Sequence, residues 1–173
     1  MDDLKHEKEE GTLGFKEGQY IVYPTHGVGV ITGIETQTIA STAMRVMIIN
    51  FEKEKMIVRL PLSSSTVKKV RPLCTKEEME EAINYLRTPT KTKKMIWSRR
   101  AQEYESKINS GDIMSITQVV RDLHRTSTQP DHSYSERQIY QDAIDRLMRE
   151  FAAVAQIDEK KAMEELQKAL KAA

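Results

Sequence analysis

The chain has 173 residues, 39% hydrophobic and 31% charged, with a formal net charge of +1, a balance ordinary for a globular protein. Its apolar runs fall well short of the roughly 20 residues a membrane helix needs, which excludes an integral membrane protein of the helical kind. A single cysteine, Cys74, excludes an intrachain disulfide framework and a cysteine-rich zinc site, and fits a reducing compartment, with the cytoplasm as the expected location.

The chain opens on a polar stretch rich in Asp and Glu that lacks the apolar core of a secretory signal, so residues 1–13 read as a disordered tail. From Phe15 to Val70, short runs of β-branched and apolar residues alternate with glycine and threonine. This pattern predicts strands over 20–23, 27–38, 44–50 and 55–61. Gly29 and Gly33 interrupt the second strand and suit a bulge or sharp bend. Pro24 and Gly27 bracket a turn, and residues 50–55 make a hairpin loop. The expectation is a small, strongly curved sheet filling 14–72.

After Pro72 the periodicity becomes helical. Thr75 with Glu78 three residues on is a capping-box signature, and Met79, Ala82, Ile83 and Leu86 form the apolar face of a first helix. Pro89 breaks the chain. A Thr/Lys-rich linker then leads to a second helix that starts near Trp97 and Ser98 and ends before Gly111, a C-cap glycine. Asp112 or Ser110 opens a third helix bearing Ile113, Ile116, Val119, Val120 and Leu123, a buried stripe. A polar break at 126–132 precedes a long helix from about Ser135, with Ile139, Ala143, Leu147 and Phe151 spaced by four, and a last helix spans 159–170. The fold class expected is α+β: a β module, then an all-α domain of about five helices over 73–173.

Catalytic and metal-binding chemistry finds no foothold. His6, His26, His124 and His132 lack metal-ligand spacing, no phosphate-binding glycine loop occurs, and Gly27-Val28-Gly29 lacks the third glycine of a dinucleotide fingerprint. Cys74 at a helix start reads as a small, partly buried residue. No cofactor, no metal and no small-molecule substrate are expected, and the chain reads as a non-enzyme.

Clustered cations are more telling. Between Arg87 and Lys107 lie Lys91, Lys93, Lys94, Arg99 and Arg100 against only Glu103 and Glu105, and the chain's one tryptophan, Trp97, sits among them. Two readings of this segment stand. In one, Trp97 packs in the core and the cations form a solvated face with an Arg99–Glu103 i,i+4 pair. In the other, the cations and helix-start amides meet phosphates while the aromatic ring enters a minor groove at an opened or bent step. Arg121, Asp122, His124 and Arg125 either extend the positive surface or cap the C-terminal dipole of their helix, the second being the favoured reading. Arg59, beside the strand-ending Pro61, is either solvated or a contact to a partner strand.

Two stretches together, residues 15–29 (FKEGQYIVYPTHGVG) and Trp97-Ser98-Arg99-Arg100 with Ser110-Gly111-Asp112 and Val119 to Leu123, resemble the CarD/CdnL family of bacterial transcription regulators over roughly 15–170. The N-terminal part also resembles the polymerase-interacting module of transcription-repair coupling factor, whose helicase motifs are absent. The resemblance implies a Tudor-like, SH3-like β module that binds the RNA polymerase β subunit. It also implies a helical module that contacts promoter DNA at the upstream edge of the transcription bubble. Trp97 matches the family's minor-groove wedge, Arg99 and Arg100 fall in its DNA-facing basic patch, which Lys93 and Lys94 extend, and Arg59 matches a polymerase-contacting arginine. Gln37 stands where some members carry a second arginine, so backbone pairing along the sheet edge must carry more of that contact. The implied action is stabilisation of the open promoter complex with low sequence specificity. The alternative is a protein-interaction adaptor without DNA contact.

Overall fold

A computed structural model describes residues 14–90, 96–124 and 133–173. The expected tail at 1–13, the linker residues Lys91, Lys93 and Lys94, and the polar break at 126–132 lie outside the described residues. The chain divides into two compact units, Met1–Pro72 and Leu73–Ala173.

In the first unit, strands β1 (Tyr20–Tyr23), β2 (Gly27–Ile39), β3 (Thr42–Phe51), β4 (Met56–Pro61) and β5 (Arg71–Pro72) form one antiparallel sheet in the order β4-β3-β2-β1-β5. Alternation along the strands sends Ile21, Ile31, Met47, Ile49, Phe51 and Leu60 to one face, where Phe15, Val67 and Val70 close the core. The α+β class with a small sheet followed by helices is as expected. β2 and β3 run to Ile39 and Thr42, longer than the pattern indicated, because Ala40 and Ser41 make the tight turn with φ of 49° and 65°. Such φ values usually select glycine or asparagine, so the sequence carries no hairpin signal there. The short β5, ending in a proline, and the 3-10 turn Ser65–Lys69 also lack a sequence signature.

The two β2 glycines serve different ends. The register shift lies between Ile31 and Gly33, so the bulge sits at the second glycine. Gly29 stays in register opposite Ile21, and a Cβ there would stand 2.8 Å from both Ile49 Cγ2 and Phe51 Cε1. Its role is close approach over the core.

The second unit contains, among the described residues, helices α1 (Lys76–Leu86), α2 (Trp97–Asn109), α3 (Ile113–Leu123), α4 (Tyr134–Ala155) and α5 (Glu159–Lys171). Their starts follow capping chemistry. Thr75 and Glu78 form the reciprocal capping box on α1. Asp112, Ser133 and Asp158 accept amide protons at the starts of α3, α4 and α5. Gly111, with φ of 72°, ends α2 as expected.

Helix α3 is the hub and packs on α1, α2 and α4. Its apolar stripe is buried, and so are two polar residues on it: Thr117 donates to the Ile113 carbonyl at 2.7 Å, and Arg121 Nη1 to the Leu86 carbonyl at 3.2 Å. The Arg121 charge therefore meets the C-terminal end of α1, not that of its own helix. Buried Glu150 accepts the Cys74 amide proton at 3.2 Å, tying the chain before α1 to α4. Tyr140 Oη and His124 Nδ1 are hydrogen-bonded at 2.9 Å. Burial, the largest cause, pushes the Tyr140 phenol from its ordinary 10.0 up to about 12, against smaller lowering by a Gln167 hydrogen bond and the Arg121 charge.

Two outcomes are expected. Gly29→Ala destabilises the β unit by roughly 1–3 kcal/mol, because Ile49 and Phe51 must move to admit the methyl, read as a lowered urea midpoint with unchanged slope. At alkaline pH the unfolded chain releases the Tyr140 proton near pH 10 while the folded protein keeps it to about 12. The stabilisation is thus complete below pH 10 and falls as pH rises through that window, by roughly 2–3 kcal/mol in total. Tyr140→Phe should remove that part of the alkaline decline in urea titrations.

Candidate functional site

The start of α2 combines features that a buried helix end would avoid. Ile96 is the N-cap residue and makes no side-chain capping bond. Its own side chain is 72% exposed. The amides of Arg99 and Arg100 both donate to its carbonyl at 3.1 Å, which winds the first turn tightly. Ser98 and Arg99 point to solvent while Trp97 and Arg100 are half-buried. Helix geometry explains the division, since positions 97, 100, 104 and 108 share one face, of which Tyr104 and Ile108 are buried in the helical core.

Trp97 is therefore neither a core residue nor a free one. Its ring packs against the edge of the helical core, with its centroid 6.3 Å from that of Tyr104. The Arg100 guanidinium carbon lies 5.7 Å from the Trp97 centroid and 5.6 Å from that of Tyr104, and its Nη2 donates to Tyr104 Oη at 3.1 Å. Arg100 Nε is buried without a hydrogen-bond partner. Of the expected cations, Arg99 faces outward, Arg100 faces the aromatic pair, and Lys93 and Lys94 fall outside the described residues. Glu103 is engaged by Lys107 at 3.6 Å, an i,i+4 pair one turn along from the anticipated one. Sequence reasoning passed over Ile96 and Tyr104. The spacing of Trp97, Arg100 and Tyr104 by three and four was the available signal for the second.

In the β unit, Arg59 is exposed on β4, opposite Ile48 of β3. Gln37 lies opposite Met44. Ile48 and Met44 are four residues apart, so Arg59 and Gln37 occupy the same sheet face, the one turned away from the core, separated by roughly 13 Å along the strand direction. Ile57, 57% exposed, shares this face. β4 is the end strand of the sheet order, so one of its sides is an edge.

Among the described residues no three His, Cys, Asp or Glu side chains gather as a metal site would require, and no helix is long and apolar enough to cross a membrane.

Known proteins place these two units. Residues 15–74 match the CarD-like/TRCF RID domain, and residues 81–167 match the CarD C-terminal domain. The first match makes the β unit a module of the kind that interacts with RNA polymerase. A Bacillus subtilis (strain 168) protein named "Putative transcription factor YdeB" is 27% identical over 146 residues, covering 84% of this chain and 95% of that one. With both matches in the order the motifs suggested and one of them spanning half of the chain, this protein belongs to the CarD/CdnL family and has a role in transcription.

Proposed function

We propose that the protein is a transcription regulator that binds the β subunit of RNA polymerase through residues 14–72 and promoter DNA at the upstream edge of the transcription bubble through 73–173. It thereby stabilises the open complex without catalysing a reaction. The observation that carries this reading is the start of α2, where an exposed Ile96, a half-exposed Trp97 and an outward Arg99 stand side by side. An apolar wedge next to a phosphate-binding cation is what minor-groove entry at an unstacked step requires. Arg99, together with Lys93 and Lys94 just ahead of the helix, supplies phosphate contacts, and Arg100 adds positive potential behind the ring.

A wedge of this kind has a partner only when the step is opened. It therefore shifts the melting equilibrium by the difference in its affinity for open and closed DNA. Few phosphate contacts make its own DNA affinity weak, and holding the polymerase raises its local concentration at the bubble. The β4 edge supports the polymerase contact, offering unpaired backbone to an incoming strand, with Arg59 beside it and Gln37 further along the same face. Gln37 brings no charge, so Arg59 carries the electrostatic share.

The test is the lifetime of the open complex on a linear promoter with purified polymerase. The protein should lengthen it, Trp97→Ala and Arg59→Glu should each abolish the gain, and Arg59→Glu alone should lose polymerase binding. Because Trp97 is only half-buried, Trp97→Ala should keep its helical circular dichroism and cost about 1–2 kcal/mol of stability, less than the roughly 3–5 kcal/mol for a core tryptophan. No effect of the protein on lifetime would remove the open-complex role and leave the adaptor reading.

A further inference from the structure

We infer that Arg100 and Tyr104 are positioning residues that hold the Trp97 ring ready for DNA, so that only Arg99 of the arginine pair is available to phosphate. This rests on the reading of Trp97 as a DNA wedge. The geometry runs outward from the core. Tyr104 is 1% exposed and so as fixed as the helical core around it. Its hydroxyl oxygen accepts from Arg100 Nη2 at 3.1 Å, and the guanidinium lies within 6 Å of both aromatic centroids, 5.6 Å from Tyr104 and 5.7 Å from Trp97. Arg100 thus links a rigid ring to the one at the helix start.

The same contacts argue against a phosphate role for Arg100. A guanidinium grips phosphate by presenting two parallel N–H groups from its fork. Here Nη2 is engaged by Tyr104, and Nε is buried out of reach of solvent. Arg99, one position earlier, is exposed. The adjacent arginines, alike in sequence, point to different work because consecutive helical residues face about 100° apart.

Positioning matters at this place because α2 starts without a side-chain cap, so backbone bonds alone hold its first turn and none of them fixes the Trp97 ring. A half-exposed tryptophan there would otherwise populate several rotamers, and freezing it on binding would weaken the contact. A planar cation held over the ring restricts it beforehand, and partial burial strengthens such a contact. Lysine keeps the charge but has neither the plane nor the fork. An electrostatic role for Arg100 therefore tolerates Arg100→Lys, and a positioning role does not.

Trp97 is the only tryptophan in the chain, so its fluorescence reports the ring directly in the free full-length protein. The experiment measures acrylamide quenching of that fluorescence and, in parallel, open-complex lifetime for wild type, Arg100→Lys and Tyr104→Phe, with Trp97→Ala in the lifetime assay. Arg100→Lys should raise the quenching constant roughly twofold and shorten the lifetime roughly two- to tenfold at unchanged net charge and circular dichroism. Tyr104→Phe, which keeps the ring and loses only the hydroxyl, should move both readouts the same way by less. Unchanged quenching in Arg100→Lys overturns the inference, whether the lifetime holds or falls; a fall would then mark Arg100 as a direct DNA contact. If Trp97→Ala itself keeps the wild-type lifetime, the wedge reading fails and the inference with it, and the Trp97 control separates that failure from the first.

Discussion

The helical unit depends on the burial of α3. With Ile113, Ile116, Val119, Val120 and Leu123 all withdrawn from water, this helix needs neighbours on most of its surface, and α1, α2 and α4 supply them. Burial on that scale presses the polar groups on the helix to find internal partners. Thr117 turns back to its own backbone, and Arg121 reaches across to the last carbonyl of α1. The second bond ties two helices together where a buried cation would otherwise be costly. Glu150 does the same for the segment entering α1, by accepting the Cys74 amide proton.

That arrangement leaves α2 with a divided character. Its later turns, through Tyr104 and Ile108, are fastened to the core, while its first turn carries exposed Ile96 and half-exposed Trp97. An apolar helix start left in water is unfavourable unless something covers it, which is why the proposed DNA contact belongs there. The β unit follows a similar logic with different means. The sheet builds its main core on one face, where Gly29 lets the strands close over Ile49 and Phe51, while Val22 and Val46 are buried on the other. The part of that second face carrying Arg59, Ile57 and Gln37, and the β4 edge, remain as contact surface.

In the proposed function neither surface has to bind tightly by itself. A regulator that stabilises one state of a promoter acts through the difference in its affinity for two states. A wedge offered only to opened DNA maximises that difference, and a polymerase tether supplies the concentration that a small basic patch lacks. Low sequence specificity is the natural companion of such a design, because phosphates and groove shape carry little base information.

Periodicity and capping residues by themselves determined the four longer strands and the five α-helices. Local caps marked the starts of α1 and α3, since Thr75 and Asp112 need no distant partner, and Ser133 and Asp158 act in the same way on α4 and α5. The clustering of Trp97 with arginines and lysines marked the candidate site, and the two motifs marked the family. The sequence could not announce the turn at Ala40 and Ser41, whose left-handed backbone is imposed by the strands on either side. Nor could it separate Gly29 from Gly33, because one answers to side chains of β3 and the other to a shift of register. Arg99 and Arg100 read alike as neighbours in a basic run. Only the docking of α2 through Tyr104 and Ile108 turned one guanidinium toward water and the other toward two aromatic rings, because which face of a helix is buried depends on what it packs against.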